Sequence, residues 1–381
     1  MQNSSRVALV YCEKYQLEEV RQAVKTGLNL LGGAEQFSQP QENILVKVNM
    51  LVGDNPDKCV GPHPMVFQAV LEQFLAAGSH VTFGDSPGFG SPRAAARMAG
   101  LLPVAEQLNV PLADFETPVT HSFPDGHLIK QFTLAKSVLE SDGLVSLSKL
   151  KSHALTRITG AIKNQFGCIP GILKSEFHTR MPNKDMFSQM LVDLNLLIEP
   201  RLYIMDGIVA MEGNGPRNGT PRPMHVLLFS TDPVALDATV CRMVGLDEAL
   251  VDPIVYGNAF GLGSSENITL LGDPITRFEV PDFKVNRSKA STTSRERSRS
   301  TSFMHNHVTP RPMILLDKCN RCGRCVQVCP AQPKALSWAN GEENPPVYNY
   351  DHCIRCYCCQ ELCPHQAIIV KVPLLGKFIR R

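Results

Sequence analysis

No stretch of this 381-residue chain approaches the roughly 18 consecutive apolar residues that a membrane-spanning helix needs. The N-terminal MQNSSRVALVYCEKY breaks its short apolar segment at Glu13 and Lys14 and has no basic leader. Neither a transmembrane segment nor a secretory signal is therefore expected, and the chain reads as cytoplasmic. A charge excess is missing too: 38 basic residues face 36 acidic ones, for a net charge of +2. That balance predicts no nucleic-acid partner. A P-loop is absent where one would be sought, because the Gly-rich VTFGDSPGFGSP at 81–92 is not followed by Gly-Lys-Ser/Thr. What remains is ordinary globular material, 43% apolar and 19% charged. Its length exceeds what one hydrophobic core usually covers, so two domains are expected.

From residue 6 to about 285, strand-like and helix-like segments alternate. RVALVYC (6–12), NILVKVNM (43–50), HVTFGDSP, GLVSLSK (143–149), RLYIMDGIVA (201–210) and HVLLFS (225–230) read as strands. Between them, Leu17, Val20, Val24, Leu28 and Leu31 recur at helical spacing before a Gly32-Gly33 stop, as do Phe67, Val70, Phe74 and Ala77 before Gly78. Phe187, Met190, Leu191, Leu194 and Leu197 mark another helix, and one more follows Asp232-Pro233. This alternation predicts an α/β fold over residues 1–285, a mainly parallel sheet with helices on both faces. Residues 286–309 lose their apolar positions to Ser, Thr and Arg and read as a flexible linker.

Nine of the thirteen cysteines lie between Cys319 and Cys363. In a chain with no export signal, such clustering favours metal over disulfides. They form an internal repeat, DKCNRCGRCVQVCP at 317–330 and DHCIRCYCCQELCP at 351–364, each containing C-x2-C-x2-C-x3-C-P. Zinc sites more often use two separated C-x2-C pairs. The doubled spacing with its closing proline is that of bacterial-type ferredoxins carrying two [4Fe–4S] clusters, in which the fourth cysteine of each repeat serves the other cluster. The expected ligands are Cys319, Cys322, Cys325 and Cys363 for one cluster, and Cys353, Cys356, Cys359 and Cys329 for the other. In this reading the fourth cysteine sits at the start of a short helix. Residues 310–381 thus form a small α+β ferredoxin-like domain that needs its clusters to fold. Cys358 fits neither set and reads as a small buried thiol. Tyr357 stands where the first repeat has Gly323 and is placed to shield a cluster from water. The C-terminal VPLLGKFIRR reads as a tail packing on its own domain.

Three α/β segments carry more polar residues than a scaffold requires. VTFGDSPGFGSP puts Asp85 at the carboxyl end of a strand, where open α/β sheets bind ligands. LSKLKSHALTRITGAIKNQFGCIPG (147–171) gathers Lys149, Lys151, His153, Thr159, Lys163 and Asn164, a donor set suited to an anion or equally to a solvated basic face. MDGIVAMEGNGPRNGTPR (205–222) offers Asp206 and Glu212 for metal, acid–base or turn-capping roles. Lys47 and Asn49 of KVNM, His63 of GPHP, Asp85 of GDSPG, the KLKSH…TGAIKNQFG run, DGIVAMEGNGP and STDPVALDA together resemble the domain of unknown function 362 family, often fused to a ferredoxin domain. The resemblance spans essentially the whole chain and implies the architecture, but no reaction.

The functional expectation is an iron–sulfur protein passing electrons, from a redox partner protein, to or from an anionic small molecule or cofactor on the α/β domain. Lys149, Lys151 and His153 would grip the anion, Asp206 or Glu212 would exchange protons, and Asp85, Thr159, Lys163 and Asn164 would complete the binding site. The alternative is a non-catalytic electron carrier or assembly module whose α/β domain docks a partner.

Overall fold

The computed structural model describes residues 4–171, 173–181, 183–288, 306–339 and 341–375. Most of the expected linker, residues 289–305, and the end of the tail, 376–381, lie outside them. No helix among the described residues is long and apolar enough to cross a membrane.

The α/β body is built on β1 (Ser5–Tyr11), β2 (Asn43–Lys47), β3 (His80–Gly84), a separate hairpin of β4 (Pro118–Ser122) and β5 (Gln131–Ala135), then β6 (Gly143–His153), β7 (Arg157–Thr159), β8 (Leu202–Glu212), β9 (Thr220–Ser230) and β10 (Ile268–Gly272). The main sheet runs β10-β1-β9-β8-β6-β2-β3, with β7 pairing to β6. It is mainly parallel, as the alternating pattern predicts, but mixed: β9 is antiparallel to both β1 and β8. The short connection between β8 and β9 explains this, because a parallel return needs a crossover of a dozen or more residues.

Helices cover both faces. On one side Leu17–Leu30 and Pro64–Ala76 pack Val20, Val24, Leu28, Phe67, Val70 and Phe74 against Ile44, Val46, Val145, Leu147 and Phe229. On the other, Lys184–Ile198 and Pro233–Met243 pack Phe187, Met190, Leu194 and Val240 against Leu45, Leu144, Tyr203 and Leu228. Asp232 caps the latter helix by accepting the Val234 and Ala235 N–H groups. β2, β3, β6 and β8 run parallel, so their carboxyl ends share one edge of the sheet.

Over that edge sits the cysteine-rich lobe. β11 (Arg311–Ile314) pairs antiparallel with β14 (Ile368–Lys371), and β12 (Leu336–Ser337) with β13 (Val347–Tyr348). Two one-turn helices, Arg324–Gln327 and Cys358–Glu361, complete it. The sequence repeat becomes a backbone repeat: Arg321 and Arg355 share a left-handed φ of 63° and 59°, and Gly323 and Tyr357 share one of 71° and 64°. Tyr357 therefore adopts a conformation that costs a non-glycine residue strain, and its hydroxyl donates to the Pro310 carbonyl. One expectation needs correction. The third cysteine of each repeat, Cys325 or Cys359, lies within the short helix, and the fourth, Cys329 or Cys363, follows its end. A four-residue helix spans only about 6 Å, so the fourth position emerges beyond it.

Candidate functional site

The cysteines surround two hollows. Cys319, Cys322, Cys325 and Cys363 line one, and Cys329, Cys353, Cys356 and Cys359 line the other. These are the two crosswise sets expected from the spacing, and the donor type in each suits an iron–sulfur cluster. Sulfur-directed donors are in place: the Ala367 N–H points to Cys363 Sγ at 3.4 Å, and the Tyr348 hydroxyl to Cys359 Sγ at 3.2 Å. Tyr357 lines the second hollow. Cys358 lines neither.

The lobe docks through its second repeat. Gln360 Nε2 donates to the Asn214 carbonyl and Oδ1 and to the Gly215 carbonyl. Asn218 donates to the Gln360 carbonyl, Arg217 to that of Leu362, and Asn214 to that of Ile368. The GNGPRNG loop, which follows the Asp206 and Glu212 carboxylates read from sequence as candidates for metal, acid–base or turn-capping roles, thus grips the helix Cys358–Glu361. Arg324 lies over the Phe89 ring at 3.5 Å on the far side of the contact.

Between body and lobe lies a cavity of about 420 Å³. Its body wall includes Lys47, Asn49, Asp85, Thr159, Lys163 and Asn164; its lobe wall includes Val328, Cys358, Glu361 and Leu362. Asp85, Thr159, Lys163 and Asn164, the four expected binding residues, all face it. Local structure explains how they meet. Lys47, ending β2, pairs with Asp85 just after β3 at 3.0 Å and donates to Asn164 Oδ1 and its carbonyl. A Cβ at Gly167 would collide with the Asp85 carboxylate and the Lys47 amine, so only glycine allows this approach. Asp237, from the STDPVALDA segment, accepts the Ala161 and Ile162 N–H groups at the start of the turn carrying Lys163. Burial pushes its carboxyl up to about 7.

Two groups in this cavity stand out. Thr159 is 3% exposed, yet its Oγ1 has no hydrogen-bond partner. Lys163 forms no ion pair or hydrogen bond among the described residues, and burial lowers its pKa. Lys174 also lines the cavity, but its three donors are spent on Ser86 Oγ and the carbonyls of Ser86 and Ile169. Burial brings it down to about 7, only partly opposed by the nearby Asp85 carboxylate.

None of the five residues expected to be catalytic lines the cavity. Lys149, Lys151 and His153 alternate along β6 and share a face, but meet different partners. Lys149 pairs with Asp206 at 2.8 Å and donates to Tyr15. Asp206 also accepts from Tyr15 and from the His63 and Ile208 N–H groups, which saturates its carboxylate. Lys151 donates to the Val60 carbonyl, and burial lowers it to about 7. His153 accepts the Leu155 and Thr156 N–H groups on Nδ1, which leaves the proton on Nε2, 3.0 Å from Glu361 Oε1. Burial holds that imidazole down to about 4, so it is neutral at pH 7. Burial opposes ionisation of Glu361, but His153 beside it, and then Lys163, prevail and lower it to about 2. Glu212 lies elsewhere, accepting the Lys284 N–H.

Sequence reasoning missed Lys174, His178, Glu361 and the pocket-facing position of Cys358. Only the second repeat's fifth cysteine gave any hint.

The family model for the domain of unknown function 362 (DUF362) matches residues 44–242, and that for a 4Fe-4S dicluster domain matches residues 311–364. The thylakoid-associated protein sll1697 of Synechocystis sp. is 36% identical over 259 residues, covering 67% of this chain and 79% of that protein. Among solved structures, the lactate racemase apoprotein from Thermoanaerobacterium thermosaccharolyticum has a TM-score of 0.41 at 12% identity, over 64% of this chain and 57% of that one. A Thermotoga maritima protein gives 0.37 at 12%, over 59% and 57%. The matched ranges include the residues that build the cavity floor and the two cysteine hollows, and the chain belongs to the DUF362 family, with a 4Fe-4S dicluster domain toward its carboxyl end.

Proposed function

We propose that this chain is an iron–sulfur oxidoreductase in which a small organic anion, held in the cavity between body and lobe, exchanges electrons through two clusters. The observation that supports this most directly is the shared cavity: the unpartnered Thr159 and Lys163 face Cys358 and Glu361 of the lobe across it. Bound [4Fe–4S] clusters supply one-electron steps at potentials set by the protein around them.

The chain's own residues divide the remaining work. Cys329, Cys353, Cys356 and Cys359 would hold the cluster beside the cavity. Cys319, Cys322, Cys325 and Cys363 would hold the outer one, where the exposed Cys322 gives a redox partner protein access. Lys163 and the Thr159 hydroxyl seat the anion, and Lys47, Asp85 and Asn164 hold the floor. Lys149, Lys151 and Asp206 brace the wall behind it, and His153 braces the lobe through Glu361. Their saturated partners support that assignment over direct contact with the ligand. So many thiolates require a reducing compartment, for which the cytoplasm is suitable.

The test is anaerobic purification with iron counting, then calorimetry with benzoate as a probe anion. Binding by the wild type and at least tenfold weaker binding by Lys163→Met and Thr159→Val are expected. A cluster-loaded protein that binds no organic anion would overturn the reading and favour a simple carrier.

A further inference from the structure

Besides Thr159 and Lys163, the cavity holds one more unspent polar group. His178, on the helix Leu173–Arg180, is 8% exposed and lines the cavity, yet its ring makes no hydrogen bond or ion pair among the described residues. Packing fixes that ring: it stacks on Phe187 with centroids 4.7 Å apart and meets the edge of Phe166 at 5.5 Å. The next residue, Thr179, donates to the Pro330 carbonyl and ties this helix to the lobe. Buried polar atoms in native structures nearly always have partners, and one that faces a cavity can take its partner from a bound molecule.

Burial lowers the His178 imidazole to about 4, so at pH 7 it is neutral, with one nitrogen donating and the other accepting. A neutral ring does not compete with the Lys163 amine for a carboxylate. The charged and titratable groups that bear on it are Glu361 of the lobe, Lys163 and His153. Glu361 repels a second anion there, so an uncharged hydroxyl or carbonyl suits the ring. The rest of the wall includes Leu51, Phe89, Phe166, Val328 and Leu362, which suit an apolar body. We propose that His178 fixes a second polar group of the ligand: the cavity takes an organic acid whose carboxylate sits on Lys163 and Thr159 and whose hydroxyl or carbonyl oxygen, carried on an apolar body, hydrogen-bonds to the His178 ring. The carboxylate end rests on the preceding reading of the cavity; the second end narrows the ligand class and makes His178 a specificity-determining residue. An acid without the second group leaves a desolvated ring nitrogen unpaired, and that penalty is what discriminates against it.

The experiment uses the full chain with about eight irons and calorimetry at pH 7 with benzoate, 3-hydroxybenzoate and 4-hydroxybenzoate as probes. The quantity read is the ratio of affinities, hydroxylated acid over benzoate, because a folding defect weakens all the acids alike and cancels. In the wild type at least one hydroxybenzoate should bind about tenfold tighter than benzoate, the worth of one satisfied hydrogen bond. His178→Phe keeps an aromatic ring against Phe187 and removes both ring nitrogens, and its ratio should fall to within about twofold of unity. His178→Gln, neutral and able to donate and accept, should regain a ratio of about threefold or more and guards against a folding defect in the phenylalanine variant. Lys163→Met should weaken every acid and keep the wild-type ratio, since the carboxylate end is common to them. A wild type that prefers neither hydroxybenzoate, a preference that survives in His178→Phe, or one that Lys163→Met abolishes overturns the assignment of His178, while benzoate binding leaves the cavity reading standing. Absence of binding by all the acids overturns both.

Discussion

The α/β body buries Phe67, Phe74 and Phe229 on one face of its sheet and Phe187, Met190 and Leu228 on the other. The lobe beyond residue 310 gathers only Cys325, Leu336, Cys359, Cys363, Ala367 and Ile368 into its largest buried cluster. Half of those side chains are cysteines. The first region is thus held by apolar burial, while the second has little such core, and under the proposed function the clusters bound by its cysteines would take that place. The difference shows why the two must be docked: the lobe has too little core to orient itself, and the body's GNGPRNG loop and Glu361 partner His153 supply the rigid mount.

Iron removal tests this contrast most severely. Chelation under reducing conditions should unfold the lobe and leave the sheet intact, because metal binding and folding are one equilibrium in such domains. Peptide-resolved hydrogen exchange should show residues 311–371 losing protection while β2, β6 and β8 keep theirs; a lobe still protected without iron would break the comparison. Within the lobe, Cys359→Ala should lower iron from about eight to about four per chain, whereas Cys358→Ala should leave it unchanged.

In the body, Phe229→Ala should cost about 3–5 kcal/mol in denaturant unfolding. Its fully buried ring abuts Gly27, where a Cβ would clash with it. Iron content should be unaffected. Lys149→Met should cost about 3–5 kcal/mol by stranding the buried Asp206 carboxylate, and adding Asp206→Asn should restore much of it. If the single and double variants are equally unstable, the ion pair is not the source.

The smallest effect is electrostatic. Burial lowers Lys174 to about 7, well below an ordinary lysine, so its charge is present below that pH and lost above it. Benzoate affinity measured by calorimetry should fall a few-fold from pH 6 to pH 8. The same depression means the folded state holds fewer protons than the unfolded chain between about pH 7 and 10, so this lysine's contribution to stability rises with pH across that window. Affinity that climbs toward pH 8 would remove Lys174 from the binding field.

Much of this was legible beforehand, for identifiable reasons. Helical spacing from Leu17 to Leu28 and from Phe67 to Ala77 reports burial on one face, and both helices form there. Asp85, Thr159, Lys163 and Asn164 lie where the strand ends put them, on the cavity wall, though Asp85 and Asn164 also carry the Lys47 network there. Lys149 and His153 were harder: periodicity tells which face they share but not that Asp206 pairs with the Lys149 amine and Glu361 lies against the His153 ring. Those partners lie 57 and 208 residues away in sequence.

The sequence alone carried the doubled cysteine repeat, because the C-x2-C-x2-C-x3-C spacing is a local pattern, and it determined the alternating α/β plan, because burial imprints a period on the chain. Tertiary structure alone decided the antiparallel placement of β9, the docking role of the GNGPRNG loop, and the cavity that brings Cys358 opposite Thr159 and Lys163. Each of these depends on contacts between segments far apart in the chain, and no local pattern encodes which distant surface a side chain will meet.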